Sequence, residues 1–78
     1  MAGPDNLYAA YAGLGNSIMV YNSTSEPATV RVYGFDGKIH MIKTAEPGAN
    51  EYYTHLKGAY LVEVEGPGNP ERTRIFLR

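Results

Sequence analysis

The chain has 78 residues, 7 Lys and Arg against 8 Asp and Glu for a net charge of −1, and no Cys. That length holds one small domain, and the lack of Cys removes disulfides, thiolate nucleophiles, zinc knuckles and iron–sulfur centres, while scattered basic residues give nucleic acid no electrostatic handle. A hydrophobic content of 44% is too high for a disordered chain, and the longest apolar run, around Leu7 to Ala12, is too short to span a membrane or to act as a signal-peptide core.

The opening Met1-Ala2-Gly3-Pro4 reads as an added start, so residues 1–6 are expected to be a linker and 7–78 a single excised domain. From there apolar residues recur at every second position, and no run keeps the i, i+3, i+4, i+7 spacing of a helix. Leu7 to Gly13, with Tyr8 and Tyr11, predicts a weak first strand. Ile18 and Val20 alternate with Ser17, Met19 and Tyr21 in the second. Ala28, Val30 and Val32 alternate with Thr29, Arg31 and Tyr33 in the third; Ile39 and Met41 alternate with Lys38, His40 and Lys43 in the fourth. A weak fifth strand is expected over Glu51 to His55, after a turn at Glu46 to Asn50. Tyr60, Val62 and Val64 then alternate with Leu61, Glu63 and Glu65, and Ile75 and Leu77 with Arg74, Phe76 and Arg78. Each run reads as a strand with one buried face.

Turn residues separate these runs at Gly15-Asn16, Asn22 to Pro27, Gly34 to Gly37, Lys57-Gly58 and Gly66 to Pro70. About seven short strands at this spacing predict an all-β domain, a small Ig-like antiparallel sandwich. Asp36-Gly37 is the clearest hairpin signal, because Gly supplies the positive φ of a tight turn; Val30 to Tyr33 is expected to pair with Lys38 to Met41 across it. In the last hairpin Glu63 and Glu65 are expected to face Arg72 and Arg74 in cross-strand ion pairs that fix register.

The reactive inventory is thin: two His, two Asp and six Glu, with no Gly-rich phosphate loop leading into a helix. No catalytic residue, cofactor or metal site is expected. His40 is expected to point to solvent on the face opposite Ile39 and Met41, and His55 to end a strand; a metal site built from both and a Glu lacks any recurring ligand spacing. The seven Tyr offer a stacking platform for sugars through Tyr8, Tyr11, Tyr52 and Tyr53, with Tyr60 assigned to the core and Tyr33 to a hairpin strand. Sheet packing is the plainer role for all of them.

Three segments resemble a known family. Val30-Arg31-Val32-Tyr33-Gly34-Phe35-Asp36-Gly37-Lys38 is similar to the hairpin of C-terminal sorting domains of the bacterial type IX secretion system. Gly58-Ala59-Tyr60-Leu61-Val62-Glu63-Val64 resembles that family's Gly-x-Tyr-x-Val-x-Val strand, and Thr73-Arg74-Ile75-Phe76-Leu77-Arg78 its terminal basic and hydrophobic strand. The resemblance covers about Ser17 to Arg78. It departs at Gly34, where the family more often has Asn, and at Arg74, where it more often has Lys.

The resemblance implies a non-catalytic secretion signal. Its partners would be the outer-membrane translocon and shuttle proteins of the type IX system, and a surface sortase that removes the domain and joins the cargo to lipopolysaccharide. The domain would be periplasmic in transit, then at the outer membrane, on the cell surface or secreted. Recognition is expected at Arg74, Ile75, Phe76, Leu77 and Arg78, with the terminal strand offering an edge for strand addition or a protruding face to a receptor. For Gly34, Gly37 and Gly58 turn geometry is the plainer role, and Tyr60, Val62, Val64, Ile75 and Leu77 are expected in the core. A dimer of the excised domain would pair through its N-terminal segment. Two other readings stay open: a ligand- or glycan-binding adhesive module of a surface protein, and the uncleaved C-terminal domain of a component of the secretion machinery.

Overall fold

The alternation of period two is realised as seven strands: β1 (Tyr8–Ala12), β2 (Ser17–Asn22), β3 (Ala28–Tyr33), β4 (Ile39–Ala45), β5 (Gly48–Tyr53), β6 (Gly58–Glu65) and β7 (Glu71–Leu77). This computed structural model describes residues 6–78, so most of the expected linker lies outside the described residues. The strands form two antiparallel sheets, one in the order β1-β2-β5 and one in the order β4-β3-β6-β7. In the immunoglobulin constant arrangement the fourth strand would sit in the first sheet. Here the short Gly34–Lys38 turn keeps β4 paired to β3. No helix is long and apolar enough to cross a membrane among the described residues.

Alternate side chains of β2, β3, β6 and β7 enter the space between the sheets. Ile18 and Val20 from one sheet meet Val30, Val32, Val62 and Val64 from the other, all essentially without solvent contact, and Ile75 and Leu77 of β7 close the side of the core. Burying each such side chain contributes about 1.5–3 kcal/mol, and this packing carries the fold in place of disulfides. Tyr60 lies half-buried at one end of the core, with the imidazole of His40 edge-on to its ring at 5.6 Å between centroids.

The β3–β4 hairpin departs from simple alternation. The Gly37 N–H donates to the Gly34 carbonyl at 3.0 Å and the Gly34 N–H to the Lys38 carbonyl at 3.0 Å, with Gly37 at φ 80. This is a three-residue loop closed by a left-handed Gly, wider than a two-residue turn. Beyond it the register slips: Tyr33 faces Ile39, but Val32 faces Met41, so His40 is an extra residue in β4. The bulge corrects one expectation: Ile39 lies on the outer face opposite Tyr33 instead of in the core. His40 is exposed, as expected, and its ring also leans over the end of the sandwich against Tyr60 and Gly34. A Cβ on Gly34 would sit 2.6 Å from Nε2 of His40, so a larger residue there would displace the exposed imidazole.

β5 also begins earlier than its sequence pattern suggests, at Gly48, and His55 falls in the connection to β6. The expected turn at Glu46 to Asn50 is instead the crossover from one sheet to the other, held by two amides. The Nδ2 of buried Asn22 donates to the Glu26 carbonyl at 2.8 Å and the Ala45 carbonyl at 3.0 Å. Asn50 accepts from the Glu46 N–H at 3.1 Å and donates back to the Glu46 carbonyl at 2.8 Å.

The four-stranded sheet ends in β4 on one side and β7 on the other. Along β7 runs β1, whose approach is fixed where the Leu7 and Tyr8 N–H groups donate to the Glu71 carboxylate at 2.9 and 3.3 Å. β4 is mostly exposed; Lys43, placed opposite Val30 on the inward side, reaches water at the margin of the sheet.

Candidate docking surface on the four-stranded sheet

The outward side chains of β3, β6 and β7 stand in rows across the sheet. One row is Arg31, Glu63 and Arg72; the next is Tyr33, Leu61 and Arg74; beyond it Ala59 faces Phe76. Glu63 is only 8% exposed and takes Arg72 Nη2 at 3.0 Å, Arg31 Nη1 at 3.4 Å and the Tyr33 hydroxyl at 3.2 Å. Arg31 also donates to Glu65 at 2.7 Å. Glu65 therefore pairs with Arg31 across β3, and the expected pair with Arg74 does not form: the registers place Glu65 beside Thr29 and Arg74 beside Leu61. Burial and the bond to Glu63 raise the pKa of Tyr33 above its ordinary 10.0, and the bond to Glu65 strengthens the hold of Arg31 on its proton.

Beside this network lies a groove of about 530 Å³ lined by Tyr33, Gly34, Phe35, Ala59, Tyr60, Leu61 and Arg74. Phe35, in the β3–β4 turn, is 93% exposed; a turn residue has no sheet face to bury it. Arg74 has no carboxylate within the 4.0 Å of an ion pair among the described residues. The β3–β4 hairpin and the terminal strand β7, widely separated in sequence, thus meet at one groove.

The residues expected at the recognition end divide by parity. Ile75 and Leu77 are buried core residues, whereas Arg74, Phe76 and Arg78 are exposed, Phe76 by 65%. Of the other motif residues, Val62 and Val64 are core, Gly58 begins β6 at φ 101 and Lys38 is exposed beside the turn. The β7 edge is not open for strand addition along its whole length, since β1 lies against it at Glu71. Tyr33, Phe35 and Leu61 were not expected at the site; a large aromatic inside the Gly34-Phe35-Asp36-Gly37 turn is the signal that marks Phe35.

A second surface lies on the outer face of the three-stranded sheet. Of the proposed platform, Tyr8 and Tyr52 turn inward, and Tyr11 and Tyr53 turn outward, joined by Tyr21. Between them the Glu51 carboxylate accepts from the Ser17 hydroxyl at 2.8 Å and the Tyr53 hydroxyl at 3.2 Å. Among the described residues no group of three or more His, Cys, Asp or Glu is placed to hold a metal ion. No family model, curated protein or solved structure matches the chain.

Proposed function

We propose that the chain is a non-catalytic C-terminal sorting domain that directs a cargo protein through the type IX outer-membrane translocon, with sortase removal and surface attachment following. The reading rests on the sequence resemblance, and one observation supports it: Gly34 of the hairpin motif and Arg74 of the terminal motif line the same groove. A surface assembled from the two motifs suits recognition of the folded domain by translocon and shuttle proteins in the periplasm.

The test is export of a fluorescent reporter carrying a signal peptide and this chain at its C-terminus, in hosts with and without a working translocon. Deleting Arg74 to Arg78 would also remove Ile75 and Leu77 from the core, so loss of export by that variant is uninformative. Arg74→Gln and Phe76→Ser leave the core intact. Translocon-dependent export that these substitutions reduce is the expected result; periplasmic retention of the folded wild type in both hosts refutes the reading.

A second reading, a glycan-binding adhesive module, is favoured by the exposed Tyr11, Tyr21 and Tyr53 around the Glu51 carboxylate. Aromatic faces and a fixed acceptor are what a polyhydroxylated ligand uses. Saturable binding on a glycan array, lost in Tyr53→Ala, would establish it.

A further inference from the structure

We propose that the groove beside Arg74 takes the aromatic and carboxylate side chains of an extended acidic segment of a partner protein, an inference that rests on the sorting-domain reading. The apolar half of the recognition comes from Tyr33, Phe35, Ala59 and Leu61, which line a groove of about 530 Å³. An aromatic side chain seated there removes the ring of Phe35, now 93% exposed, from water.

The charged half comes from an imbalance on the same face. Arg31 and Arg72 are neutralised by Glu63 and Glu65, while Arg74 at the groove wall has no ion-pair partner among the described residues. The chain as a whole carries −1, so this positive spot is local and selects for a carboxylate at one place. A guanidinium beside an apolar groove binds a carboxylate more strongly than one in open water, because the local dielectric is lower and two parallel hydrogen bonds can form.

Spacing selects the arrangement. Tyr33, Leu61 and Arg74 occupy one row on three adjacent strands. With strands about 4.8 Å apart, a point between Tyr33 and Leu61 lies about 7 Å from Arg74. Residues i and i+2 of an extended peptide project to one side about 7 Å apart. An aromatic residue followed two positions later by Asp therefore meets both halves of the site, whereas adjacent residues project to opposite sides.

The experiment titrates the isotope-labelled chain with the peptide acetyl-Thr-Phe-Thr-Asp-Thr-amide, and separately with its Asn analogue and an isomer in which Phe and Asp are adjacent, following backbone amide shifts. Saturable shifts confined to Gly34, Phe35, Ala59 to Leu61 and Arg74, with the Asp peptide bound at least about fivefold more tightly than either control, are expected. Arg74→Gln should abolish the preference for Asp over Asn, and Arg74→Lys should retain part of it. Equal binding of the three peptides, shifts centred elsewhere, or no saturable shift overturns the proposal. Export separates the two ideas: Arg74-dependent export without an Asp preference defeats this proposal and leaves the sorting reading standing, and an Asp preference without translocon-dependent export does the reverse.

Discussion

Tyr8 and Gly66 make a coupled pair whose energetics can be worked from the structure. Tyr8 is 6% exposed, and its hydroxyl has no hydrogen-bond partner among the described residues although it is fully buried. A buried hydroxyl without a partner costs about 1–3 kcal/mol, so Tyr8→Phe, which keeps the ring packing, should stabilise the domain by about 1 kcal/mol. For a domain of this size that raises the melting temperature by about 4–8 °C. A Cβ at Gly66 would land on the same hydroxyl oxygen, and the next atom it would meet is Cζ of Tyr8 at 3.2 Å, with Ala28 Cβ at 3.8 Å. Gly66→Ala alone should therefore cost about 1–3 kcal/mol through overpacking against a side chain that cannot move aside. In combination with Tyr8→Phe the clashing oxygen is gone, and most of that cost should disappear. The expected coupling is about 1–2 kcal/mol, well beyond the additivity error of independent sites. Urea denaturation of the four proteins, with an unchanged m-value as the check on two-state behaviour, measures it. A destabilised Tyr8→Phe, or strict additivity of the two substitutions, would refute the reasoning by showing that the hydroxyl is satisfied or that the loop yields freely.

Val62→Asp should abolish the cooperative thermal transition, because Val62 is completely buried between the sheets and an unpaired carboxylate there costs several kcal/mol; a transition near the wild-type midpoint would contradict its placement. Alkaline pH should also destabilise the fold. Burial raises the pKa values of both Tyr33 and Tyr52 above 10.0, and Tyr52 donates its phenolic proton to the Thr44 carbonyl at 2.8 Å. The folded state thus holds these protons more tightly than the unfolded state. Their contribution is complete below about pH 10 and is lost as pH rises through the raised values. Denaturation midpoints between pH 8 and 11 should fall in the wild type and fall less in the double variant Tyr33→Phe with Tyr52→Phe.

The sandwich was legible because Ile18 and Val20, Val30 and Val32, Val62 and Val64, and Ile75 and Leu77 keep strict alternation in strands whose neighbours are all antiparallel. Turn chemistry was legible at Gly37 and Gly58, where positive φ is observed. The fourth strand was misread at Ile39, before the bulge, since a bulge inverts every residue on one side of it and leaves the local pattern looking continuous. Glu65 was paired with the wrong arginine for a related reason: charge alternation along β6 shows which residues share a face, but its partners lie on two flanking strands, and only the register separates Arg31 from Arg74. The roles of Asn22 and Asn50 depend on carbonyls of the crossover that no local pattern places near them. The groove was half legible: the motifs around Gly34 and Arg74 were read separately, and nothing in their spacing brings them together.

The two flanks of the four-stranded sheet bear on how the molecule behaves at high concentration. On one flank, β1 sits against β7, tied through Glu71; on the other, the His40 bulge bends β4 and Lys43 holds a charge where an incoming strand would bury it. Such devices block edge-to-edge growth. Stacking of neighbouring copies into a continuous ribbon would first have to strip β1 away or desolvate an ammonium group. The groove can thus remain greasy and open to a visitor on the face of a sheet that is obstructed at both margins, so stickiness and self-assembly are separated by direction.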